Sequence, residues 1–258
     1  MFQFFENWQN NHIIKQSTIT PAQWSDAFAA LPLLKGLSSD EMQRLQELAI
    51  LFCHNKVFEG VRGFEITPPM QLLVALQACL PILELGLDWY DGWTTLIIYP
   101  SGFAPKRMIR DEYGIEHFVQ SSLGGEAWHR GPVVLAWDEV EYAGVIDGRN
   151  LVIHEFAHKL DMQNDAVNGF PPLHAGMDIN AWSQAFSRGF DDFQHRCSLG
   201  ENIGIDCYGA TLPSEFFAVL SEVFFEKPGI IHRYYSDIYD LMVEFYRQDT
   251  MARLEPWS

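Results

Sequence analysis

The chain is poor in cysteine, short of positive charge, and without a long apolar run. Its four cysteines, Cys53, Cys79, Cys197 and Cys207, are far apart and form no C-x-x-C pair. That excludes a thiolate-bound metal and a dithiol redox motif. The reading that follows is a soluble, cytoplasmic protein whose cysteines stay reduced. Lys and Arg number 17 against 34 Asp and Glu, a formal charge of −17. Such a chain repels phosphate, which argues against nucleic acid and anionic membrane surfaces as partners. The apolar runs fall far short of a bilayer span. The first residues, Met1 to Glu6, lack the basic and apolar regions of a secretory signal. Internal repeats and low-complexity linkers are also missing.

What is present suits one sizeable core, with 48% hydrophobic residues in 258. The first third reads as helical. Thr20-Pro21 opens one helix, which Pro32 closes. Ser38-Ser39-Asp40-Glu41 is a capping box ahead of Met42, Leu45, Leu48, Ala49 and Phe52 at helical spacing. Thr67-Pro68 opens another helix. After Gly86 the texture changes. Thr94–Tyr99, Phe118-Val119 and Pro132–Trp137 read as strands, the last either an edge that accepts an extended peptide or an interior strand. Asn150 is an N-cap for a helix through about Met162. Further helices are expected at about 179–193, at 213–226, and as one piece from Ile231 to about Tyr246. The fold class is therefore α+β, a small mixed sheet flanked by helices. A mainly helical part (1–85) precedes the sheet-bearing part (86–258) in one domain.

The segment with chemical content is Leu151-Val152-Ile153-His154-Glu155-Phe156-Ala157-His158, which contains H-E-x-x-H on a predicted helix. Shuffling a chain with nine histidines gives this pattern roughly 0.02 times, so chance is a poor explanation. On a helix His158 lies about 40° from His154, and Glu155 about 60° from His158. Both imidazoles therefore reach one ion, while Glu155 stands beside it as a base. Zinc acidifies the water it binds to a pKa of roughly 7, within reach of such a carboxylate. The metzincin spacing fails, because Asp161 and Asn164 stand where Gly and His are needed. A third ligand must come from a downstream helix. Glu215, Glu222 and Glu226 share one stripe there, and spacing alone allows any of them, the other two lying on a solvated face. Asp161 is either a hydrogen-bond acceptor for a ligand imidazole or a helix-end residue meeting solvent or Lys159. His174 is a weaker rival ligand. The 163–175 loop reads as a lid or as a segment ordered by metal. The Phe-rich start (Phe2, Phe4, Phe5, Trp8) suits docking on the domain or on another subunit.

Four stretches carry a family resemblance. They are Gln77–Pro81, Leu85–Trp93, Val152–Asp161 with the metal motif, and Glu215-Phe216-Phe217-Ala218. On them the chain resembles the Mlc titration factor A family of zinc-dependent peptidases, from about residue 25 to about 248. The catalytic half of that family is similar to the anthrax lethal factor protease domain, which implies a zincin-like fold. The resemblance selects Glu215 as third ligand beside His154 and His158, with one zinc ion per chain. It makes Glu155 the base, and Tyr208, seven residues before Glu215, the phenol near the metal. It also implies aminopeptidase-type activity on short peptides and binding to a sugar-responsive transcription repressor. The rival reading is a regulatory binding protein with vestigial hydrolysis. A purely structural zinc site is disfavoured, because nothing closes the fourth position. An aminopeptidase needs an acid for the substrate amine, and Asp138, Glu139 and Glu141 are available.

Overall fold

A computed structural model describes residues 2–101, 106–110, 116–120, 125–127 and 131–254, with side chains at 8–101 and 131–254. Four helices and one strand come first: α1 (Phe2–Gln16), α2 (Pro21–Ala30), α3 (Ser39–Asn55), β1 (Val57–Gly60) and α4 (Pro68–Cys79). The expected caps form. Thr20 Oγ1 accepts from Gln23 N at 3.3 Å, and Ser38 Oγ from Glu41 N at 3.2 Å. The Gln23 amide oxygen and the Glu41 carboxylate accept in return from the Thr20 and Ser38 backbone amides. Side chains 2–7 lie outside the described set, so the docking expectation for Phe2, Phe4 and Phe5 is not addressed. Trp8 is exposed and stacks on His12.

The sheet-bearing part contains β2 (Thr95–Tyr99), β3 (Lys106–Arg110), β4 (Glu116–Gln120), β5 (Gly125–Ala127) and β6 (Val133–Ala136). One sheet has the order β1-β2-β6-β5, and β3 pairs with β4 as a separate antiparallel ladder. β1, β2 and β6 are mutually parallel, with Val57 opposite Thr95 and Leu96 opposite Val133. β5 runs antiparallel on the other side of β6. The Pro132–Trp137 strand is therefore interior, not an edge, and all four residues of β6 are buried. A strand covered on both faces reads as a continuous apolar run, as this one does.

The remaining helices are α5 (Trp137–Glu141), α6 (Leu151–Asp161), α7 (Ile179–Ser198), α8 (Pro213–Glu226), α9 (Pro228–Tyr234), α10 (Ser236–Tyr246) and α11 (Thr250–Leu254). The single helix expected over 231–246 is two helices. Tyr235 breaks them with non-helical backbone (φ −143°, ψ 61°), and its ring packs against Phe216 with its hydroxyl donating to Asp192 at 3.0 Å. Ser236-Asp237 then restarts the chain as a helix, an acid in the first turn favouring it. The reduced-thiol expectation is also corrected, because Cys197 and Cys207 are disulfide-bonded across ten residues. Cys53 and Cys79 are free. A ten-residue spacing between Cys197 and Cys207 is no pairing signal by itself; the approach of the C-terminal end of α7 to residue 207 is set by the fold.

A continuous apolar core joins the two parts of the chain. Phe156 on α6 sits at its centre, ring to ring with Phe52 of α3, Tyr90 and Trp93. The helix that carries H-E-x-x-H is thereby clamped between the N-terminal helices and the sheet. Its residues Val152–Asp161 are all buried. Among the described residues no helix is long and apolar enough to cross a membrane.

Candidate metal centre

Asn150 starts α6 as expected, its Oδ1 accepting from Ile153 N at 3.0 Å. One turn apart on the same face, the His154 and His158 rings approach to 4.9 Å between centroids at 81°. Across from them stands α8. Pro213 occupies its first turn, and Glu215 is the acid of that turn. Glu215 Oε2 lies 3.1 Å from His154 Nε2 and 3.2 Å from His158 Nε2. One ligand atom from each of the three lies within 4.8 Å of the others. Ligand atoms around a tetrahedral ion with bonds of 2.0–2.1 Å stand about 3.3–3.4 Å apart, so this set is spaced for a divalent metal.

Electrostatics agree with that use. Burial alone would raise the Glu215 carboxyl, yet hydrogen bonds from the two histidines pull it down to about 2. Burial also raises Glu155, offset by His154 and His158, and leaves it at about 7. Glu155 Oε2 is buried and without a hydrogen-bond partner. An ionisable group left in that state beside ligand-type residues is one that a metal site would use, and an added cation would favour its charged form. Tyr208 lies in a short turn (Cys207–Ala210) whose start is capped by Asp206 Oδ1 on Tyr208 N at 3.0 Å. The Cys197–Cys207 bond and the Arg149–Asp206 ion pair at 2.8 Å tie this turn to α7 and to the start of α6. The Tyr208 ring stands 5.9 Å from the His154 ring, 42% exposed.

Two expectations about the acids are overturned. Glu222 and Glu226 do not lie on a solvated face; they are 7% and 4% exposed. Glu222 Oε1 accepts from His154 Nδ1 at 2.7 Å, and its Oε2 from Asn150 N at 2.5 Å. Glu226 holds Gly148 N at 2.9 Å and Asn150 Nδ2 at 3.2 Å, and Asn150 Nδ2 also donates to Gln77 at 2.9 Å. A signal was available in the sequence. Phe216, Phe217, Val219, Leu220, Val223, Phe224 and Phe225 make α8 apolar all round, and a helix of that kind has no wet face. Asp161 fits neither of its readings. Both its oxygens accept loop amides, Gly169 N and Phe170 N, at 2.8 Å. The 163–175 loop is thus strapped to the end of α6. His174 is turned elsewhere, its Nε2 on Phe245 O at 2.8 Å.

The comparisons point the same way. The family model described as glucose-regulated metallo-peptidase M90 matches residues 5–247. Mlc titration factor A of Yersinia pestis (strain Pestoides F) is 40% identical over 240 residues, covering 92% of this chain and 88% of that protein. Mlc titration factor A of Yersinia pseudotuberculosis (serotype O:1b, strain IP 31758) matches to the same extent. The chain belongs to the glucose-regulated metallo-peptidase family.

Proposed function

We propose that this family member is a zinc-dependent peptidase with aminopeptidase-type action on short peptides, built on a zincin-like fold. The observation that carries the reading is the convergence of His154 Nε2, His158 Nε2 and Glu215 Oε2 beside the buried Glu155, whose Oε2 has no hydrogen-bond partner. Two imidazoles and one carboxylate are the donor set that zinc takes when a position is left for substrate or water. When bound there, the ion supplies a Lewis acid for the substrate carbonyl and acidifies water. Glu155 takes the proton of the attacking water and passes it to the leaving amine. Its carboxyl, at about 7 before any ion is counted, lies where a base works at neutral pH. Tyr208 has its phenol pushed up to about 12 by burial and by the Glu215 and Glu155 carboxylates. It therefore keeps its proton and donates a hydrogen bond to the oxyanion that develops.

The test is elemental analysis and hydrolysis in parallel. Wild type is expected to hold about one zinc per chain, Glu215→Ala to lose it, and Glu155→Gln to keep it while peptide cleavage falls at least ~100-fold. Cleavage that survives Glu155→Gln removes Glu155 as the base. Peptides with free and acetylated N-termini then separate exopeptidase from endopeptidase action. The name of the relatives favours a second reading, in which the chain binds a transcription repressor. In that case a titration with the purified repressor shows binding that Glu155→Gln leaves intact.

A further inference from the structure

We propose that Glu222 is the positioning residue for the ligand His154, fixing which of its nitrogens faces the metal and where that nitrogen points. This rests on the zinc-peptidase reading above and names a residue that reading does not need. The two motif histidines are not equivalent. His154 Nδ1 meets Glu222 Oε1 at 2.7 Å, whereas His158 Nδ1 is buried with no hydrogen-bond partner. Asp161, three residues beyond His158 on the same helix, has both oxygens committed to the loop amides of Gly169 and Phe170.

A carboxylate only accepts, so His154 Nδ1 carries a proton toward Glu222, and Nε2, which faces Glu215 Oε2 at 3.1 Å, is the nitrogen that gives its lone pair to an ion once the proton it shares with Glu215 is displaced. Glu222 is itself held. Its second oxygen takes Asn150 N at 2.5 Å, the amide at the N-cap of the helix that bears the ring. One carboxylate thus spans the start of α6 and the imidazole one turn later, and sets the ring relative to its own helix. Because Glu222 sits two turns along from Glu215 on α8, the same contact sets the His154 ligand atom relative to the Glu215 ligand atom. Carboxylates placed behind a ligand imidazole also raise its donor strength. Glu226, one turn further on, holds Gly148 N and Asn150 Nδ2 and makes no contact with His154. It serves as an internal control, since it joins the same two helices without touching a ligand.

Zinc affinity, read by competition with a chromophoric chelator at pH 7, tests the proposal. Glu222→Ala is expected to weaken zinc about 10- to 100-fold and Glu222→Gln by less, since the amide keeps one accepting oxygen. Glu226→Gln is expected to stay within about threefold of wild type, well below that range. Where Glu222→Ala does not fold, the Glu222→Gln protein carries the test through its zinc-bound His154 Nδ1–H proton resonance. That signal should move upfield as the charged acceptor is lost. Wild-type zinc affinity in the Glu222 variants, an unmoved resonance, or an equal loss in Glu226→Gln overturns the proposal. If Glu215→Ala loses zinc while Glu222→Ala does not, the metal site stands and only the role of Glu222 falls. If wild type itself binds no zinc, both fall.

Discussion

At the scale of single residues, the site depends on side chains whose hold on a proton is shifted by burial and by neighbouring charges. Tyr208 is the simplest case. Its hydroxyl stays protonated and its ring lies against His154, so Tyr208→Phe removes a hydrogen-bond donor and little else. Loss of one oxyanion donor typically costs about 100- to 1,000-fold in kcat. Steady-state kinetics on Tyr208→Phe should show that loss with zinc content unchanged, and an unaltered kcat would assign Tyr208 to packing. Glu226 gives a prediction about stability. Burial raises its carboxyl to about 7, against the hydrogen bonds from Gly148 and Asn150, with Asp147 and Glu222 adding to the rise. The folded protein therefore holds that proton more tightly than the unfolded chain does. The stability this confers is complete below about pH 4.5 and is lost as pH climbs through 7. A carboxyl moved from 4.5 to about 7 corresponds to about 3 kcal/mol at 1.36 kcal/mol per pH unit. Glu226→Gln imitates the neutral acid, so from pH 5 to 8 its urea midpoint should rise relative to wild type. Parallel curves would show that Glu226 does not titrate in this window. The ligand-type residues were legible because chemistry fixes their type and helix geometry fixes their spacing. The burial of Glu222 and Glu226 is not legible from their charge, because the apolar residues on every side of α8 decide it.

At the scale of elements, the site is two helix starts brought together. α6 is capped by Asn150 and α8 begins at Pro213, and the loop after α6 is wedged between the end of α6 and the start of α8. Gly169 shows how tightly. Its φ is +73°, and a Cβ there would lie 2.3 Å from Pro213 O, backbone that cannot swing aside. Gly169→Ala therefore meets both left-handed strain and a clash with the first turn of α8, where Glu215 stands. We expect a loss of at least about 1 kcal/mol in urea unfolding, together with weaker zinc binding as that turn shifts. Full retention of both would mean that the loop yields. Helix starts were the most legible elements, since Thr20, Ser38, Asn150 and Pro213 each announce one through a local hydrogen bond or a fixed φ. β1 was not seen, because Val57–Gly60 is a short strand defined by its neighbour β2 and not by any pattern of its own. The break at Tyr235 was hidden for a similar reason: its cause is Asp192 and Phe216, which lie far away in sequence.

At the scale of the whole molecule, an ion in the candidate metal site would tie together parts that a fold must otherwise hold by packing alone. α6 lies in the core between the N-terminal helices and the sheet, and α8 carries Glu215 from the C-terminal half. An ion held by His154, His158 and Glu215 closes a cross-link between residues 57 to 61 positions apart. It also neutralises part of the cluster of acids formed by Glu155, Glu215 and Glu222, in a chain whose net charge is already −17. Binding only to the folded form, zinc at 100 times its Kd adds about 2.7 kcal/mol. At about 2–4 °C per kcal/mol for a chain of this size, chelation should lower the Tm by roughly 5–10 °C. Adding zinc back should restore it. Glu215→Ala should melt at one temperature with or without chelator, since it has no ion to lose. A wild-type Tm indifferent to chelation would mean that the three ligand atoms meet without binding metal. Their approach would then be a hydrogen-bonded contact between α6 and α8, and the peptidase reading would lose its metal ion.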